Sequence, residues 1–347
     1  MVKTYPRILG TAFELGSQKV PARDILREFK PDERERERYI AKYKMGELII
    51  SRFQSPEEFE EATARVIKEA ISQSGINPSE INHVYSALAL PIEKRFLPGF
   101  ARDSAELAGL DGIATVDIGR GCMAALQGLQ AAKDRADYWS KRNEPYAAII
   151  LTGENTSAAI NPKDQSTAPI FSSATAALVV ANFGEGTHSI EEVEYRNLSR
   201  EDLRKAGVPE GDMKRMIDSM VVLNPFITGA KEYFQMEGER VYGFAVRNAL
   251  PIGLSLIGLD RLPNGAYLIP HQPAPKTLDT LVTSNRLNPK DVYTEGARTM
   301  GNTSSATIII GLHHVRQDPT LRKRDIYLLP FGSGPTAGIG HLRAIRE

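Results

Sequence analysis

Two stretches of this chain carry the same order of strands, helices and turns at nearly the same spacing, and this restricts the fold more than any other feature. In the first, the apolar run HVYSALALP ends at Pro91, and ATVDIG runs into Gly119, Gly121 and Cys122. The small-residue segment AALQGLQAAKDRA, the run YAAIILTGE and the run FSSATAALVVANF follow. In the second, NGAYLIPHQ carries His271 at its end, DVYTEGARTMGN reads as strand then turn, SSATIIIGLHHV as helix, and DIYLLPFGSG as a strand into glycines. Pro91 and Cys122 are 31 residues apart, as are His271 and Asn302; Cys122 to Gly153 is 31 and Asn302 to Gly332 is 30. Short apolar runs bounded by glycine and proline read as buried strands. The spacing predicts a duplicated α/β unit with halves at residues 1–185 and 186–347. Cys122 and Asn302 would then occupy corresponding strand-to-helix turns, with His271 at a strand end near both, where α/β folds commonly gather their sites.

A chain of 347 residues is long enough for two such units. Lys plus Arg and Asp plus Glu both number 43, so no net field gathers nucleic acid or an anionic membrane surface. The single cysteine excludes an internal disulfide and any paired-cysteine metal site, and fits a reducing compartment. No apolar run approaches the roughly 18 residues of a membrane span, and the opening MVKTYPRILGTAF has no apolar segment of the signal-peptide kind. The expected location is the cytoplasm.

Local signals place a helix over residues 56–74, with Ser55 as its cap, Pro56 first, Glu57 and Glu58 at its positive end, and Gly75 as its stop. The run PDERERER at 31–38 reads as a solvated helix start, with partner docking as the functional alternative.

Three residues carry the chemistry. Cys122 precedes a helix and follows two glycines that permit a tight turn. A helix N-terminus lowers a thiol's pKa, which points to a nucleophile; the alternative is a small buried hydrophobe. His271 ends a buried strand and has two ring nitrogens to satisfy, in a structural or a catalytic role. Gln272 beside it can orient a neighbour or bind backbone. Asn302, after a glycine, is a turn or cap residue, or an amide donor to a thioester carbonyl. Together they make an acyl acceptor and two groups that polarise a second thioester.

The segments DIGRGC, PHQ, GNTSSA and FGSGPTAG, in that order, resemble those of the thiolase-fold condensing enzymes. Within them the chain is most similar to β-ketoacyl-acyl-carrier-protein synthase III and its acyltransferase relatives, over about residues 50–347. The resemblance implies an α/β thiolase-like fold, two duplicated halves packed as a five-layer αβαβα sandwich. It implies that Cys122 is acylated by an acyl-CoA or acyl-carrier-protein thioester, with no covalently bound cofactor. His271 and Asn302 would bind the carbonyl of a malonyl-type thioester, whose decarboxylation gives the attacking enolate. The backbone of Cys122 and of Ser333, where the family has a glycine, would form the oxyanion hole. Phe96 aligns with a phenylalanine that reaches into the partner's acyl pocket, or is a plain core aromatic. Lys276 falls where the family often has an arginine on the phosphopantetheine or carrier side. A homodimer paired through the strand beside the nucleophile helix is expected.

Departures accompany the likeness. HQPAP replaces the usual HQAN, putting Ala274 at the second asparagine, and SSAT at Ser172–Thr175 replaces GDGA. Relatives in specialised metabolism show HQPAP-like segments. The GSGPT segment is also similar to the plant-type polyketide synthases, but those are usually longer and the helix-rich start here does not resemble theirs. Three functions follow for comparison: a condensing enzyme of specialised metabolism, an acyltransferase to an alcohol or amine with His271 as base, and a non-catalytic subunit of a condensing heterodimer. Retention of all three residues argues against the last.

Overall fold

The small residues after Cys122 let two backbones approach closely, and the helix they form lies at the centre of the molecule. A computed structural model describes residues 5–88, 99–119, 121–205, 208–211, 213, 238–332 and 336–345. Its main sheet contains β1 (Arg7–Leu15), β4 (Ile81–Leu88), β5 (Ala114–Gly119), β6 (Ala147–Glu154), β7 (Ala174–Ala181), β8 (His188–Asn197), β9 (Tyr267–Pro270), β10 (Ile326–Leu329), β11 (Phe331–Gly332) and β12 (Thr336–Ala344). β2 (Gln18–Pro21) and β3 (Ile49–Arg52) form a separate antiparallel pair.

The main sheet runs β5-β4-β6-β7-β1-β8-β12-β10-β9, with β11 on β12. Each side of the β1–β8 join has the same plan. β4 is parallel to β5 and β6, while β7 and β1 run antiparallel. Likewise β9 is parallel to β10 and bridges to Val292, while β12 and β8 run antiparallel. The join itself is short, Arg7 to Ser189 and Ile8 to His188.

Alternation along the strands sorts the core into layers. Ala148 and Ile150 of β6 and Leu328 of β10 face a central cluster with helices α5 (Ala124–Ser140) and α9 (Thr307–Gln317). Ala147, Ile149 and Leu151 face the other way, onto α3 (Pro56–Ser74) and α4 (Phe100–Leu107). Tyr327 and Leu329 of β10 face α6 (Ala249–Leu256) and α7 (Pro275–Ser284). The order is helix, sheet, helix, sheet, helix, as expected. The central helices press directly on the strands: a Cβ at Gly128 would lie 2.8 Å from Ile150, and one at Gly311 2.5 Å from Ile269.

Local expectations hold where the signal is local. Ser55 Oγ accepts from Glu58 N at 3.2 Å, and Gly75 ends α3 at φ 71°. The charged run forms the exposed start of α2 (Glu33–Tyr43), capped by Asp32 Oδ1 accepting from Glu35 N at 2.8 Å. With α1 (Ala22–Phe29) and β3 it encloses a small cluster including Leu26, Ile40, Leu48 and Ile50. Among the described residues, no helix is long and apolar enough to cross a membrane.

The residue-by-residue correspondence differs from the one the spacing suggested. α5 starts at Ala124 after a 3-10 turn at Gly121–Met123, and α9 starts at Thr307 after a 3-10 turn at Ser304–Ala306. Cys122 therefore matches Ser305, and Asn302 lies three residues earlier. The cause is that DVYTEGARTMGN is not strand then turn. It makes one bridge at Val292 and then the short helix α8 (Glu295–Thr299). A helix advances about 1.5 Å per residue and a strand about 3.3 Å, so equal counts do not reach equal positions.

Candidate active site

Cys122 sits in the turn between β5 and α5, half-buried, with Gly121 before it at φ 58°. β11 runs against this turn. A Cβ at Gly332 would stand 3.0 Å from Cys122 Cβ and 3.3 Å from Sγ, so a larger residue there would press on the cysteine. The thiol is shifted upward, opposite to the direction that the helix start suggests. Burial pushes Cys122 up to about 12, the Glu154 carboxylate adds to this, and the hydrogen bond with Ser304 opposes it. At neutral pH the sulfur is then a thiol.

His271 follows β9, and its backbone N–H continues the ladder to Leu329 O at 2.9 Å. Its ring stands edge-on to Phe331 at 5.4 Å between centroids. Burial lowers it to about 3, so the imidazole is neutral. Nδ1 lies 3.0 Å from Thr307 Oγ1. Gln272 binds backbone, as one of its two expected roles: Nε2 donates to Pro270 O and Tyr293 O, and Oε1 accepts from Ala297 N at 3.0 Å. This buried amide fixes the exit of the His271 strand.

Asn302 is held by backbone on both sides. Its N–H donates to Ile170 O at 2.9 Å and its C=O accepts from Ser172 N at 3.0 Å. Ser172 Oγ in turn accepts from Ser51 N at 2.7 Å. The SSAT segment thus ties the Asn302 loop to β3. Gly301, at φ 77°, lets that loop lie on Ile170 O, Leu48 and Ile50. Asn302 Oδ1 accepts from Ser304 N at 2.9 Å, which orients the amide and leaves Nδ2 as its donor.

Ser304 joins the three. Its Oγ lies 3.8 Å from Cys122 Sγ, its N–H is held by Asn302, and its C=O accepts from Thr307 Oγ1, which also contacts His271. Ser304 adopts φ 53°, a left-handed conformation unusual for serine. Sequence reasoning passed over Ser304 and Thr307; the only available signal was their place in GNTSSAT, beside Asn302.

Among the described residues no contact brings Lys276 to this cluster; its ammonium lies 5.2 Å from the centre of the Tyr43 ring on α2. Asp279, one turn later, pairs with Lys44 and Arg298. Ala274 gives α7 no side-chain cap, and Pro275 serves as its first residue. Phe96 and Ser333 lie outside the described residues.

Residues 116–198 match the family described as 3-oxoacyl-[acyl-carrier-protein] synthase III, and residues 265–344 match its C-terminal part. A β-ketoacyl-[acyl-carrier-protein] synthase III of Agrobacterium fabrum is 26% identical over 318 residues, covering 89% of this chain and 87% of its own. One from Clostridium botulinum is 28% identical over 277 residues, covering 78% and 79%. In structure, the chain superposes on 3-oxoacyl-[acyl-carrier-protein] synthase III of Aquifex aeolicus with a TM-score of 0.74 at 22% identity, covering 97% and 99%. An OleA variant of Xanthomonas campestris gives 0.76 at 14%, covering 98% and 99%. Both halves match this family in order on a shared fold, which supports a β-ketoacyl-acyl-carrier-protein synthase III-like condensing enzyme, an acyltransferase.

Proposed function

We propose that this chain forms an acyl-enzyme on Cys122 from an acyl-CoA or acyl-carrier-protein thioester. It then condenses that acyl group with a malonyl-type thioester, in polyketide or fatty-acid-derived metabolism. The observation that carries this reading is the convergence of Cys122, His271 and Asn302 on Ser304 and Thr307. A neutral thiol and a neutral imidazole suit base-assisted acylation. In the condensation, Asn302 Nδ2 and a protonated His271 Nε2 donate to the enolate oxygen left by decarboxylation. The backbone N–H groups of Cys122 and Ser333 serve the acyl carbonyl. Lys276 and the neighbouring α2 surface serve the pantetheine or carrier side, and Phe96 the acyl pocket. The sequence halves, 1–185 and 186–347, each contribute one turn to the centre.

A homodimer is part of the same reading. β5 ends the sheet, and its Val116 is 42% exposed, large for an apolar residue on an unpaired edge.

The test is an intact-mass measurement with a panel of acyl thioesters. An adduct that Cys122→Ala abolishes is expected, followed by carbon dioxide and a β-ketoacyl product when malonyl thioester is added. An unlabelled wild-type protein would defeat the reading. Transfer to a hydroxyl or amine without carbon dioxide would replace condensation with simple acyl transfer.

A further inference from the structure

Thr307 Oγ1 lies 2.9 Å from Ser304 O and 3.0 Å from His271 Nδ1. A hydroxyl has one proton to donate, and a carbonyl can only accept. With the Thr307 proton donated to Ser304 O, Oγ1 is left to accept, and the group facing it must be Nδ1–H. All three residues are buried, so water does not compete at this contact. Among the described residues, His271 Nε2 has no hydrogen-bond partner, so nothing at the other end of the ring opposes this choice.

We infer that Thr307 is a positioning residue that holds His271 in the Nδ1–H tautomer, making Nε2 the lone-pair nitrogen that receives the Cys122 proton during acylation. The second half of this statement rests on the acyl-enzyme reading above. In acylation the Cys122 proton moves to Nε2, and the sulfur bonds to the thioester carbonyl carbon. The bond from that carbon to the donor's sulfur breaks, and the departing thiolate takes a proton from solvent. Nε2–H then serves as a cationic donor to the enolate oxygen, with the incoming malonyl carboxylate as the counter-charge that a buried imidazolium needs. Carbon–carbon bond formation expels the Cys122 thiolate, which recovers its proton from Nε2. One solvent proton is consumed per turnover, matching the carboxylate lost as carbon dioxide. One tautomer thus supplies a base for the first step and a donor for the second.

The tautomer is read directly by ring 15N NMR of protein labelled at histidine, with a His271→Gln spectrum to identify the signal among six histidines. The free wild-type enzyme is expected to show a protonated Nδ1 and a bare Nε2; the reverse overturns the inference. Thr307→Val keeps the shape and removes the hydroxyl, whereas Thr307→Ser keeps the hydroxyl and removes a methyl. Acylation by intact mass should slow about 10- to 100-fold in the valine variant, with serine within about threefold of wild type. A packing role predicts the opposite order, and wild-type-like acylation of Thr307→Val overturns the proposal. If wild-type protein takes no acyl label, the acyl-enzyme reading fails, while the NMR result still decides the tautomer.

Discussion

The turn at Gly121–Met123 and the turn at Ser304–Ala306 have the same backbone form, but they hold their central side chains differently. Both open with a left-handed residue, at φ 58° and 53°, and both lead into a central helix. Cys122 stands at the middle of the first, where its sulfur meets a hydroxyl at 3.8 Å. Ser305 stands at the middle of the second, where its Oγ donates to buried Glu154 at 3.1 Å and accepts from Gly153 N at 3.3 Å. The first turn leaves its sulfur weakly engaged; the second is tied into the sheet. In the second, the residue before the centre is a serine that links Cys122, Asn302 and Thr307, where the first has a glycine. The same duplicated unit has one turn suited to reacting and one suited to organising the site.

The largest effect should come from moving the thiol between turns. Cys122→Ala is expected to abolish the acyl adduct, and adding Ser305→Cys should not restore it, because the sulfur would then face Glu154. An adduct on the double variant, seen by intact mass, would mean the turns are chemically interchangeable.

Asn302→Asp keeps the oxygen that Ser304 N–H needs and deletes the Nδ2 donor. Malonyl decarboxylation should fall about 10²- to 10³-fold, the usual cost of one donor to a developing oxyanion. Acylation of Cys122 should suffer much less. Equal losses in both steps would show that the second turn acts only as scaffold.

Without substrate, alkylation of Cys122 by iodoacetamide reports its thiolate. Because burial raises the thiol to about 12, the thiolate fraction grows about tenfold per pH unit over the neutral range. The alkylation rate should climb steadily from pH 7 to 9. A plateau near neutrality would mean that the helix end, not burial, controls the sulfur.

The smallest effect concerns the two left-handed positions. Gly121→Ala should cost roughly 1–2 kcal/mol in urea unfolding, because a Cβ is disfavoured at that φ. Ser304→Gly removes a similar strain but frees the unfolded chain, so its net change should stay within about 1 kcal/mol. Equal destabilisation in both would show that Ser304 is not strained.

Much of the molecule was legible from short-range patterns. The α3 helix begins and ends where Ser55, Pro56 and Gly75 indicate, because caps act within one turn. The buried strands and the small-residue helix at the centre follow from runs of apolar and small side chains, while the five-layer order was implied by the family resemblance. The three candidate residues and the family resemblance were also there to be read. Other features were decided only when distant segments met. The match of Cys122 with Ser305 depends on α8 replacing a strand, which equal spacing conceals. The upward direction of the Cys122 shift is set by what is packed around the sulfur, which the helix start visible in sequence does not reveal. Lys276 lies against Tyr43, a residue more than two hundred positions earlier. Ser304 and Thr307 look like ordinary turn and helix residues until Cys122, His271 and Asn302 surround them. Caps and periodicity are written in neighbours along the chain; desolvation, tautomer and strain arise from neighbours in space.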